Sequence, residues 1–157
     1  MKREGYQGAT FGVMEGIIMA LGLIMGLSSM DSRAAIIAGI FAAAFADAFA
    51  NAAGIHVSQE TESHHTRREV WKSTVFCFFT TITVILMLSV PVFFMPISQA
   101  ILVSGLIGVL ILTFLGYYVG GIRKKNRISI ILEYVLIGII VSIICYYLGS
   151  IVTGIVA

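Results

Sequence analysis

No aspartate, glutamate, lysine or arginine occurs between Lys72 and Arg123. As one helix rising about 1.5 Å per residue, that stretch would be roughly 75 Å long, more than twice a hydrocarbon core of about 30 Å. The chain must fold back within it at least once. Charged residues make up only 11% of the 157, against about a quarter in ordinary soluble domains, too few to cover a water-facing surface. A soluble enzyme, a nucleic-acid-binding protein and a disordered tail are excluded. The fold class expected is all-α, a polytopic membrane protein.

Five apolar runs are long enough to cross a bilayer, at about 11–27, 34–57, 73–94, 97–119 and 128–156, within one transmembrane domain spanning 1–157. Asp31, Ser32 and Arg33 form a short first turn, and residues 58–72 a polar linker. Pro91 and Pro96 mark the third reversal, because proline removes a helix donor and clashes with the preceding turn. Arg123, Lys124, Lys125 and Arg127 close the fourth span. The start, Met1 to Glu4, is read as leading into a mature first span and not as a signal peptide, since Glu15 interrupts the apolar run and no small-residue cleavage site follows. Five spans place nine of the Lys and Arg residues on one side and one on the other. The positive-inside rule then puts the N-terminus, the linker and the Arg123 cluster in the cytoplasm and the C-terminus outside.

Glycines four apart (Gly12 and Gly16, Gly22 and Gly26, Gly116 and Gly120) let helix backbones approach closely, which drives association in lipid where apolar side chains gain nothing by leaving it. Packing within the chain accounts for most of them, and a homodimer is the oligomer they allow. Cys77 and Cys145 lie in apolar runs without metal-type spacing and read as small hydrophobes.

Three acids interrupt the apolar spans: Glu15, Asp47 and Glu133. A charge at the bilayer centre costs roughly 2.5–3.5 kcal/mol on insertion scales, so each needs a reason. Glu133, less than two turns after Arg127, is expected to pair with the basic cluster. Glu15 is close enough to its helix start to be an interfacial acid. Asp47 lies well inside its span with Asn51 one turn on. If the helix continues into the linker, Asp47, Asn51, Gly54, Ser58, Glu62, His65 and Glu69 share one face within about 80°. That stripe, set among Ala and Phe, suits a substrate path better than a structural seam. Carboxylate, amide and imidazole groups, with the thioethers Met14 and Met19 flanking Glu15, suit a divalent cation, imidazole and thioether shifting preference towards first-row transition metals. The linker adds His56, Glu60, Glu62, His64, His65 and Glu69, a run rich in metal-binding types but without zinc-site spacing. A carboxyl group in low dielectric holds its proton tightly and an arriving cation drives it off, so Glu15 and Asp47 are expected to exchange protons for metal.

The order of spans, the short first turn and the long polar extension of the second span resemble the vacuolar iron transporter family, the CCC-type iron/manganese carriers. The C-terminal half carries the densest motifs: Pro91-Val92-Phe93-Phe94-Met95-Pro96, then Leu115-Gly116-Tyr117-Tyr118-Val119-Gly120-Gly121, Glu133, Gly138 and Tyr146-Tyr147-Leu148-Gly149. Met14-Glu15-Gly16 sits where the family has an acid–glycine pair, and Ala46-Asp47-Ala48 where it has a glycine–glutamate step. The resemblance implies a five-span dimer that exports iron(II) or manganese(II) from the cytosol in exchange for protons. Glu15 and Asp47 would be pathway acids, and Glu60, Glu62 and Glu69 would capture metal. The chain departs from the larger members in having only 58–72 in place of their Glu-rich cytoplasmic domain, and Ala43 in place of their methionine one turn before the span-two acid. Besides metal, protons and lipid, no partner or bound cofactor is implied. Two other readings stay open: a carrier for protons or a small organic cation, and a membrane scaffold whose stripe docks a partner helix. An enzyme is not expected, since no nucleophile–base pair, phosphate loop or HExxH pattern occurs.

Overall fold

The computed structural model describes residues 3–30, 32–62, 64–124 and 126–156, so Asp31 of the first turn, Lys125 of the basic cluster and the Met1–Lys2 start lie outside the described residues. Five helices follow one another: α1 Arg3–Gly26, α2 Arg33–Glu60, α3 Arg67–Phe94, α4 Ile97–Arg123 and α5 Arg127–Val156. Each is long and apolar enough to cross a membrane, and the protein is an integral membrane protein. The first helix begins well before the apolar run does, so it is not a marginal span. Most of the expected 58–72 linker is helical, and the break between α2 and α3 is confined to 61–66.

The helix ends have local causes. Ser32 Oγ accepts from the Ala35 N–H (3.3 Å) and caps α2. Glu69 Oε2 accepts from both the Thr66 N–H (3.0 Å) and the Thr66 hydroxyl (2.8 Å), which fixes the start of α3. Lys124 takes a left-handed conformation (φ 52°) and ends α4. Pro91 does not break α3 as the sequence suggested. It lies buried in the last turn, and the reversal falls at Met95 and Pro96, the latter opening α4.

The central helix is α1, which touches all four others. α2 packs on α1 and α3 only, and α5 on α1 and α4 only; α2 and α5 do not meet, leaving a strip of α1 open between them. The close contacts are made by glycine. A side chain at Gly8, Gly12 or Gly16 would meet backbone or side-chain atoms of Ser73, Cys77, Thr80, Thr81 or Val84 on α3. Gly22 and Gly26 lie against Cys145 of α5, and Gly116 and Gly120 against Ile131 and Arg127. All three glycine pairs seen in the sequence thus serve contacts within the chain.

The two ends of the bundle differ. The apolar core (among it Ile17, Leu21, Ile24, Ile36, Ile40, Ile85, Leu88 and Val92) fills the half containing the start of α2 and the end of α3. There the Arg33 guanidinium donates to the carbonyls of Val92 (2.9 Å) and Met95, so the one cation at that end among the described residues closes the C-terminus of α3, where carbonyls lack helical partners and the helix dipole is negative. Arg33→Gln is expected to cost about 1.5 kcal/mol through loss of charge-assisted hydrogen bonds, read as a lower midpoint in detergent unfolding. The other, basic end is held by small polar groups: buried Gln59 donates to Gln7 Oε1 (3.1 Å) and Ser73 Oγ (3.0 Å), tying α2 to α1 and α3. Local opening follows local packing. Amide exchange is therefore expected to be slower across 17–24 and 84–92 than across 52–60 and 67–74, and the reverse order would contradict this division.

Candidate metal pathway

Glu15 and Asp47 come from different helices to the same depth. Each lies roughly 18–20 Å along its helix from the basic end, near the middle of its span. Both side chains are half-buried, and they stand close enough to interact electrostatically. Glu15 projects from α1 between Gly12, which packs on α3, and Gly22, which packs on α5. It therefore borders the open strip between α2 and α5. Asp47 and Asn51 reach it from one flank of the buried stripe of α2, formed by Ile40, Ala44, Ala48 and Ala52. Asn51 Nδ2 donates to Asp47 Oδ2 (2.9 Å), which fixes one carboxylate oxygen. The stripe continues towards the basic end through exposed Gly54 and Ser58.

It does not continue as expected beyond that. α2 ends at Glu60, and the turn at 61–66 carries Glu62, His65 and Glu69 off the face of Asp47. Each has a local partner: Glu62 Oε2 lies 2.9 Å from His65 Nε2, and Glu69 caps α3 through Thr66. Glu60 lies 3.4 Å from His56, whose Nδ1 is 2.8 Å from Thr74 Oγ1. Among the described residues no three His, Cys, Asp or Glu side chains converge. The metal-binding types of this segment form separate pairs and no single centre, and the His56–Glu60 pair lies on the flank of α2 away from Asp47.

The two methionines separate. Met19 is one turn beyond Glu15 on nearly the same face of α1. Met14 instead lines a cavity between α1, α4 and α5, with Tyr6, Thr10, Arg123 and Tyr134. Glu133 is exposed, and among the described residues no cation lies within 4 Å of it. It shares a hollow with Arg123 and Asn126 without the ion pair expected from the sequence.

The sequence reading missed Cys77. It is not only a core hydrophobe: it is fully buried on α3 and lies within the electrostatic field of both Glu15 and Asp47. The signal was the spacing of Ser73, Cys77 and Thr81, small polar residues four apart that form the buried face of α3 against the glycines of α1. Two carboxylates, one with its amide partner, thus lie within electrostatic reach of each other and of a buried thiol near mid-membrane depth, without converging on one point. Oxygen donors hold a hard or borderline divalent cation, and a sulfur neighbour favours a transition metal over calcium or magnesium. Two neighbouring carboxylates in an apolar medium also require a balancing positive charge, which either protons or a metal ion supplies.

Residues 6–75 match the model of the VIT family. No curated protein matches the chain. The matched region covers α1, α2 and the start of α3, and so contains both acids, Asn51 and the 61–66 turn. It lies in the N-terminal half and not in the motifs after Pro91 where the sequence resemblance was densest. Over those residues, which carry two of the five membrane-crossing helices and the start of a third, the chain is similar to the VIT family.

Proposed function

We propose that the protein exports iron(II) or manganese(II) from the cytosol in exchange for protons, with Glu15 and Asp47 as the carboxylates that alternate between proton and metal. The observation that carries this reading is that the two acids, from α1 and α2, lie at one depth in an otherwise apolar bundle and within electrostatic reach of each other. The similarity of residues 6–75 to the VIT family supports metal ions as the cargo. Asn51 orients Asp47, and Met19, one turn from Glu15, and buried Cys77 supply soft groups on α1 and α3. Gly54 and Ser58 line the approach, with Glu62, His65 and Glu69 in and after the 61–66 turn drawing cations in from the basic, cytoplasmic end; Glu60, on the other flank, adds only to the negative charge of that end, and the C-terminus lies on the opposite side. Cargo and protons compete for the same oxygens, so one cannot load until the other leaves.

A homodimer completes the pathway. In a single chain Glu15 and Asp47 border a strip that neither α2 nor α5 closes, and a carboxylate facing acyl chains is costly. A second copy laid over this strip shields both acids and encloses a polar path. The test is metal uptake into vesicles containing a pH-sensitive dye, with iron(II), manganese(II), cobalt(II) and calcium offered in turn. Iron(II) or manganese(II) is expected to move with an opposing proton flow and calcium is not. Metal movement without a pH change would remove the coupling, and no movement at all would favour the scaffold.

A further inference from the structure

The flank of α2 opposite Asp47 holds a different site. Phe49, two positions on and roughly 200° around the helix, begins an apolar groove of about 420 Å³ along the α2–α3 seam. Ala52 and Ala53 form its floor and Phe78, Phe79 and Trp71 its walls. The aromatic rings brace one another: Phe49 packs against Phe78 at 4.8 Å with the ring planes tilted by 55°, and the Trp71 ring meets His56 edge-on at 4.7 Å. At its basic end the groove shares Trp71 and Val75 with a second hollow of about 290 Å³ that is also lined by Arg68 and Lys72. Both cations are exposed, and neither is paired with an acid among the described residues.

An acyl chain gains nothing by leaving bulk lipid for an apolar groove, so the groove alone selects no ligand. The cations do. We propose that this seam binds one anionic phospholipid, its chain lying along Ala52, Ala53 and Phe78 and its phosphate on Arg68 and Lys72. Basic residues at the membrane face hold acidic headgroups, and the groove gives the chain a fixed seat beneath them. The comparable groove between α1 and α5, about 460 Å³ and equally apolar, has no charged residue in its lining and carries no such selectivity. A second copy placed over Glu15 and Asp47 leaves this flank of α2 open, so lipid and dimer do not compete.

Trp71 is the only tryptophan in the chain and forms one wall of the groove, so it reports occupancy directly. The full-length protein in phosphatidylcholine vesicles is given a small fraction of chain-brominated phosphatidylglycerol or, separately, chain-brominated phosphatidylcholine. The anionic lipid is expected to quench Trp71 with an apparent affinity at least about fivefold higher, the scale set by one interfacial cation. Arg68→Gln with Lys72→Gln should remove that advantage. Ala53→Leu, which fills the groove and leaves both charges in place, should lower quenching by the anionic lipid to the phosphatidylcholine level. Equal quenching of the native protein by both lipids would overturn the proposal. So would an anionic preference that survives Ala53→Leu, which would show surface attraction without a seated chain. No quenching by either lipid would show that protein covers the seam, and would overturn it too.

Discussion

Asp47→Asn is expected to reduce metal-driven proton movement to the level of protein-free vesicles, a loss of about 100-fold or more. The scale follows from metal sites generally, where removing even an outer partner of a ligand costs about 10–100-fold, so removing a direct carboxylate falls at or beyond the upper end. Asparagine keeps the volume of aspartate and can still hydrogen-bond Asn51, but it neither releases a proton nor neutralises a cation. Glu15→Gln is expected to do the same, and the double variant little more, because two groups acting as one unit do not add. Asp47→Glu, which keeps the charge on a longer arm, should retain part of the flux. The swap to Asn disturbs at most the 2.9 Å bond from Asn51, about 1 kcal/mol, so the variant should remain folded and its inactivity should be chemical. Wild-type flux from Asp47→Asn would remove the acid pair from the mechanism.

The largest structural effect is expected at Gly12. A Cβ placed there meets the Cys77 carbonyl oxygen and the hydroxyls of Thr80 and Thr81. Because one of these is helix backbone it cannot rotate away, and α1 must lift off α3. Gly12→Val should cost about 3 kcal/mol, the upper part of the range for overpacking, and should lower yield and unfolding midpoint together. Gly54→Ala is the control: it lies on an open face with nothing near its Cβ position, so it should be neutral or slightly stabilising. Equal tolerance at both positions would contradict the glycine contact between α1 and α3.

What could be seen in the sequence was what periodicity and charge encode. The charge-free stretch after Lys72 forced the reversals, and the glycine pairs foretold close helix contacts. The candidate site was only half legible. Asp47 with Asn51 was visible because four residues is one helical turn, and their hydrogen bond is local. That Glu15 would meet Asp47 depends on how α1 crosses α2, which no spacing within either helix determines. Cys77 was passed over because a thiol in an apolar run looks like packing until the helix opposite is known. The stripe beyond Ser58 failed for a local reason: α2 ends at Glu60 and the Thr66–Glu69 cap starts a new helix, so the helical register is not carried across the turn. Glu133 was assigned a partner by sequence distance alone, and the helix turns it to face outward.

Arg33 and the aliphatic packing around it have a mechanical meaning. The first two rods of the sheaf, seated in aliphatic packing at one tip and joined by the Gln59–Gln7 amide hydrogen bond at the other, are hinged like tweezers: the packed tip is the fulcrum, and small rotations there become wide displacements at the far tips. The gap between the first two rods, where the carboxylates sit, lies partway along the arms, so it can widen or narrow without loosening the clamp.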